Sequence, residues 1–128
     1  MAIAKRVDQL RHSARAEIRQ ILVDRARHRD LISYSDLVSR IRSIRLIARS
    51  SFLADLLAVI SREEYAAGRG LLSAVVVKKT RHGLGIPGTG FFSRLAPVSN
   101  CRKENWPQCW RREVDKVFEC WRGRRAGR

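Results

Sequence analysis

The chain has 128 residues, 45% of them hydrophobic, and carries 27 Lys and Arg against 12 Asp and Glu, a formal net charge of +15. This length suits one α+β domain over residues 1–122, followed by a basic disordered tail over 123–128. No run reaches the roughly 18 apolar residues of a membrane span, the N-terminus MAIAKRVDQLRHSAR lacks an apolar signal core, and Asp8, Glu17 and Asp24 argue against a transit peptide. A positive excess of this size attracts phosphate polymers whatever their sequence. Of the 27 basic residues 22 are Arg, a bias that a GC-rich genome also produces, so composition alone does not separate a binding surface from a soluble one.

The first predicted element is a helix over residues 3–28. Ile3, Val7, Leu10, Ala14, Ile18 and Ile21 recur at spacings of three and four, while Lys5, Arg6, Arg11, Arg15, Arg19 and Arg27 lie mostly off that stripe. The stripe lacks Trp and Phe anchors, which argues against a helix lying on a membrane. Residues 31–33 read as a brief extended piece. Ser33 and Asp36 match a capping box that opens a second helix with Leu37, Val38 and Ile41 inward. Residues 40–49 (RIRSIRLIAR) interleave four Arg with Ile and Leu, and periodicity leaves open a helix end or an extended connection.

A third helix is expected from Ser51 to residue 67, buried through Leu53, Leu56, Leu57 and Ile60 and stopped by Gly68. Asp55, Glu63 and Glu64 against Arg62 make it a poor candidate to enter a DNA groove, where phosphate contacts supply affinity. Residues 71–78 form a Val-rich β run, and residues 91–95 a second strand. Between them lie Lys78, Lys79, Arg81 and His82, then Gly83, Gly85, Pro87, Gly88 and Gly90, the composition of a hairpin with a long basic tip. Residues 97–105 read as loop. The last helix runs from Pro107 to Arg122 with Trp110, Val114, Val117, Phe118 and Trp121 on its apolar face and Gly123 behind it.

Gly83, Gly85 and Gly88 spell G-x-G-x-x-G, but no helix is expected to follow, so the dinucleotide reading fails. The absence of G-K-[ST] excludes a P-loop, and V-A-I-K, H-R-D and D-F-G are missing for a kinase. The glycines serve turns, with a backbone anion nest beside Lys79 and Arg81 as the functional alternative. His82 is a candidate acid or base among cations. His12 and His28 fall on nearly opposite helix faces, Glu63 and Glu64 lack a strand-borne carboxylate partner for metal, and Ser73 lacks a nucleophile elbow. Cys101, Cys109 and Cys120 have no CxxC spacing, and Cys109 and Cys120 sit eleven residues apart on one helix, too far for a disulfide. Reduced thiols in a cytoplasm are the simpler reading.

Two resemblances can be stated on these residues. The order ISYSDL, LLAVISREEYAAGRGLLSAVVV, PGTGFF and a Trp-rich terminal helix, from about Leu31 to Trp121, resembles a family of small uncharacterised bacterial proteins, which implies no site. ISYSDL, a helix, LLSAVVV and a Gly-rich turn also resemble the winged-helix domain of O6-alkylguanine-DNA alkyltransferases. Ser35 stands where that family has Gly and the P-C-H-R nucleophile is missing, so the resemblance implies a DNA-handling scaffold and no alkyl transfer.

The expected architecture is therefore three helices, a winged-helix-like β-hairpin and a C-terminal helix. The expected function is non-catalytic nucleic-acid binding, DNA ahead of RNA, with no cofactor and no metal. Lys78, Lys79, Arg81 and His82 contact phosphates from the hairpin, and Arg40, Arg42, Arg45 and Arg49 form a second patch. The alternatives are an adaptor for an acidic protein partner and a small nuclease or toxin using His82.

Overall fold

The structure, a computed structural model, describes residues 2–99 and 102–123, without the side chains of 2–5 and 96–99. The side chains of Ile3 and Lys5, all of Cys101 and the tail beyond Gly123 lie outside the described residues. Helix α1 spans Ala2–Arg27. Ala14, Ile18, Leu22, Val23 and Ala26 are buried, but Val7 and Leu10 stand 47% and 41% exposed, which corrects their expected place in the core. At about 1.5 Å per residue α1 is roughly 39 Å long, against roughly 24 Å for the sixteen-residue helices it packs on. The core ends before α1 does.

After β1 (Ile32–Ser33), Ser33 caps α2 (Tyr34–Arg40): its hydroxyl accepts the Asp36 N–H at 3.1 Å. Ile41 is extended, and residues 41–50 form an irregular connection. Glu17 of α1 holds that connection, its carboxylate accepting the Arg42 N–H (2.6 Å), the Ser43 N–H (3.0 Å) and the Ser43 hydroxyl (2.7 Å). Burial pushes the Glu17 carboxyl up, but the Ser43 hydroxyl, the two N–H donors and the Arg42 charge outweigh it and hold the group below its ordinary value.

Helix α3 (Ser51–Ala66) buries Leu53, Leu56, Leu57 and Ile60 as its spacing predicts. Its last turn also buries Glu64, 2% exposed. Arg19 Nη2 lies 3.0 Å from Glu64 Oε1, and the Arg69 guanidinium grips Oε2. Both guanidinium groups lie over the Trp121 ring, at 5.6 and 6.0 Å from its centroid. One carboxylate thus ties α1, α3 and the loop behind α3 to the C-terminal helix.

Residues 71–77 bury every side chain. The expected uninterrupted strand is instead a 3-10 turn (Leu72–Val75) leading into β2 (Val76–Val77), which pairs in parallel with β1 in the register Ile32–Val76 and Ser33–Val77. A buried backbone without a broad sheet must find other partners. Ala74 N–H donates to Leu71 O (2.9 Å) and Ser73 N–H donates to the Ser61 hydroxyl (2.8 Å). The Trp110 indole N–H donates to Ala74 O (2.7 Å).

The hairpin exists but is shorter than expected. β3 (Lys79–Thr80) and β4 (Gly83–Leu84) are antiparallel around a two-residue turn, Arg81 and His82, and neither strand joins β1 or β2. Residues 91–95 are not its return strand. They belong to helix α4 (Thr89–Ser99), because Gly88 opens a turn in which Phe91 N–H donates to Gly88 O, and Phe91, Phe92 and Leu95 then share a buried face at helical spacing. The expected loop over 97–105 is likewise part helix, with a second 3-10 turn at Lys103–Asn105. Helix α5 (Trp106–Trp121) starts with proline in its first turn and buries Trp110, Val114, Val117, Phe118 and Trp121 as expected. The described residues thus contain five α-helices rather than the expected four, in an α+β arrangement. Cys109 is disulfide-bonded, a correction to the expectation of reduced thiols, and Cys120 is free.

The Glu64 cluster generates a stability prediction. Glu64→Gln removes the carboxylate with which the Arg19 and Arg69 guanidinium groups pair, and the cost is about 2 kcal/mol after allowance for the solvent that reaches both Arg. Thermal melting at neutral pH should fall by roughly 6–10 °C; an unchanged midpoint would show that the stacking on Trp121, and not the charge, holds the junction.

Candidate functional site

The chain leaves the core abruptly: Val77 is fully buried and Lys78 is exposed. The Lys78 backbone fixes the hairpin base, donating its N–H to Ile86 O (2.9 Å) and accepting the Gly85 N–H (2.7 Å). At the tip, the Thr80 hydroxyl donates to Gly83 O (2.8 Å) and accepts the His82 N–H (3.2 Å). Arg81 and His82 keep negative φ because Gly83 takes the positive value, +119°, which only glycine adopts at little cost. A Cβ on Gly85 would meet the Thr80 methyl at 2.8 Å, so the second glycine lets the strands close.

Beyond the hairpin, Gly88 N–H donates to the Tyr34 phenol oxygen at 2.9 Å, which fixes the start of α4 beside α2. Phe91 meets Phe92 edge-on (centroids 5.1 Å, 89°), and Phe92 stacks on Trp106 (4.3 Å, 7°), so both Phe are anchors of α4. The Ser50 hydroxyl caps α3 by accepting the Leu53 N–H at 3.1 Å, with Arg49 just before it.

Between these pieces lies a half-open cleft of about 670 Å³. Its rim carries Arg49, Lys78, Lys79 and Arg94. The hydroxyl-bearing residues Ser35, Ser50, Ser51, Thr89, Ser93 and Tyr34 also border it, and its apolar lining includes Ala54, Leu57 and Phe91. No Asp or Glu lines it. Arg94 Nε donates to Asp55 Oδ1 at 2.9 Å, whereas Arg49, Lys78 and Lys79 have no ion-pair partner among the described residues. In a chain with 12 acidic residues, this leaves the cleft with an uncompensated positive charge.

The predicted site residues therefore divide. Arg49 joins Lys78 and Lys79 in the cleft instead of forming a patch with Arg40, Arg42 and Arg45. Arg40 and Arg42 border a different hollow of about 490 Å³ with Arg25 and Asp24, so a carboxylate is present there. Arg45 lines neither space, and Arg81 and His82 stand exposed at the hairpin tip outside both. Ser51, Thr89 and Arg94 line the cleft without being among the predicted site residues. The pair Ser50-Ser51 before an apolar helical run was the readable signal for the first, while nothing local marks the others.

The arrangement suits anion binding. Among the described residues no group of His, Cys, Asp and Glu could hold a metal ion. Among the described residues Ser73 Oγ is paired with Ser61 Oγ (2.6 Å) and donates to no basic side chain, and His82 is engaged through its backbone N–H alone. No family model, curated protein or solved structure matches the chain.

Burial raises the Tyr34 phenol above its ordinary value of 10, against the opposing pull of the Gly88 N–H. Because the folded value lies above the unfolded one, the stabilisation is complete below pH 10 and is lost as pH rises through the folded value. An absorbance titration should show a phenol ionising above pH 10, and Tyr34→Phe should remove that late step. Persistence of the step in the variant would place it elsewhere.

Proposed function

We propose that this protein binds nucleic acid without reacting with it, through the surface formed by the hairpin and the cleft beside it. The supporting observation is the cleft's lining: four cationic side chains, three of them unpaired among the described residues, with no carboxylate among them. The exposed tip residues Arg81 and His82 extend the same positive surface from the hairpin, as the wing of a winged-helix protein does for DNA. Contacts of this kind hold the phosphate backbone and do not read bases. DNA is the proposed polymer ahead of RNA, by the resemblance to the alkyltransferase domain alone. No described helix is long and apolar enough to cross a membrane. A cytoplasmic location belongs to the same proposal, without the support that three reduced thiols would have added.

Counterion release makes such binding steeply dependent on salt, with a slope of about −0.9 per phosphate contacted on duplex DNA. Fluorescence anisotropy with duplex DNA, single-stranded DNA and RNA should show that slope, and the double variant Lys79→Ala/Arg81→Ala should flatten it by about 2. Wild-type affinity and slope in the variant would remove the hairpin from the interface. Salt-sensitive capture of an acidic protein with no oligonucleotide binding would favour the adaptor reading.

A further inference from the structure

The shape of the cleft carries more than its charge does. A stacked duplex is a convex cylinder, and a base within it reaches a pocket only by leaving the stack. The cleft is concave, and its volume of about 670 Å³ falls in the range that encloses small organic ligands, roughly 300–1,000 Å³. Its lining also combines two chemistries. Arg49, Lys78 and Lys79 supply positive charge, and the partly exposed Ala48 and Ala54, backed by the nearly buried Leu57 and Phe91, supply an apolar wall. A nucleotide brings the same two kinds of group, an anionic phosphate on its sugar and a planar base with apolar faces and polar edges.

Three further features point to the phosphate end. Helices α3 and α4, sixteen and eleven residues long, both begin on the cleft, at Ser51 and Thr89. The Leu53 and Phe91 N–H groups are already bonded, to Ser50 Oγ and Gly88 O, and the positive dipole ends of the two helices add to the charge of the rim. The Tyr34 phenol accepts the Gly88 N–H, and its own proton has no acceptor among the described residues, so it is available to an oxygen of the occupant. A terminal phosphate monoester carries close to two negative charges at neutral pH, against one for a phosphate inside a strand. An unpaired terminal nucleotide also enters at the lowest unstacking cost.

We propose that the cleft holds an unpaired, terminally phosphorylated nucleotide of a bound strand, with the phosphate at Arg49, Lys78 and Lys79 and the base against the apolar wall. This rests on the reading of the same face as a nucleic-acid surface. A free nucleoside monophosphate shares the chemistry, and the experiment separates the two sources.

The test compares one short single-stranded DNA in three forms: 5′-phosphorylated, 3′-phosphorylated and with hydroxyls at both ends. A nucleoside monophosphate is titrated directly and as a competitor. The variants are Ser51→Glu and Thr89→Glu. Both positions are exposed first residues of helices, where a carboxylate favours the helix but repels a phosphate in the cleft. A thermal melt no lower than wild type confirms folding. The expected result is about tenfold tighter binding of a phosphorylated strand, partial displacement by the monophosphate, and loss of that preference in both variants with salt-dependent binding kept. Equal binding of all three strands, still steep in salt, would overturn the cleft proposal and leave the nucleic-acid reading standing. A monophosphate bound as tightly as the phosphorylated strand would overturn the strand end as the source. No binding of any strand at moderate salt would overturn both readings.

Discussion

Residues 71–77 bury all their side chains and the polar backbone between them, and most of the molecule is arranged to make that burial possible. α1, α3 and α5 all pack on this segment. β1 supplies a short parallel ladder, Ser61 a hydroxyl and Trp110 an indole N–H, each answering a backbone group that water cannot reach. The consequence for function comes at the segment's end. The change from fully buried Val77 to exposed Lys78 and Lys79 sets two cations at the surface in a position dictated by the core.

The placement of carboxylates is the second half of the same arrangement. Glu64 is held between Arg19 and Arg69, Glu17 ties down the connection at Arg42 and Ser43, Glu63 pairs with Arg15, and Glu113 with Lys116. The first three join elements of the fold to one another, while the Glu113–Lys116 pair lies within α5. None reaches the cleft, and Asp55 touches it only by restraining Arg94. The protein's positive excess is therefore not spread evenly: negative charge is used between helices, and the space between α3, the hairpin and α4 is left without it. A purely compositional Arg bias does not predict that separation.

Much of the framework was legible along the chain because it is local. The buried faces of α3 and α5 follow from spacings of three and four, and Ser33 caps α2 where the S-x-x-D pattern places it. The errors arise where tertiary context overrides propensity. Valine and phenylalanine runs read as strands, yet residues 72–75 wind into a 3-10 turn around Ser61 and residues 91–95 continue a helix opened at Gly88. Val7 and Leu10 fit the stripe of α1 but lie beyond the reach of its partners. The cleft was legible only in pieces. It is assembled from residues 33–35, 48–58, 73, 78–79 and 88–95, and no local pattern shows that Arg49 and Lys78 border one space.

A map of backbone amide NMR shifts, recorded while a short 5′-phosphorylated single-stranded DNA is added, tests the central claim most directly. Binding at this face predicts that the largest changes fall on Arg49, Ser51, Lys78, Lys79, Thr89 and Gly90, with smaller ones at Arg81 and His82. Changes centred on α1 or on the hollow at Arg25, Arg40 and Arg42, or none at moderate salt, would contradict it.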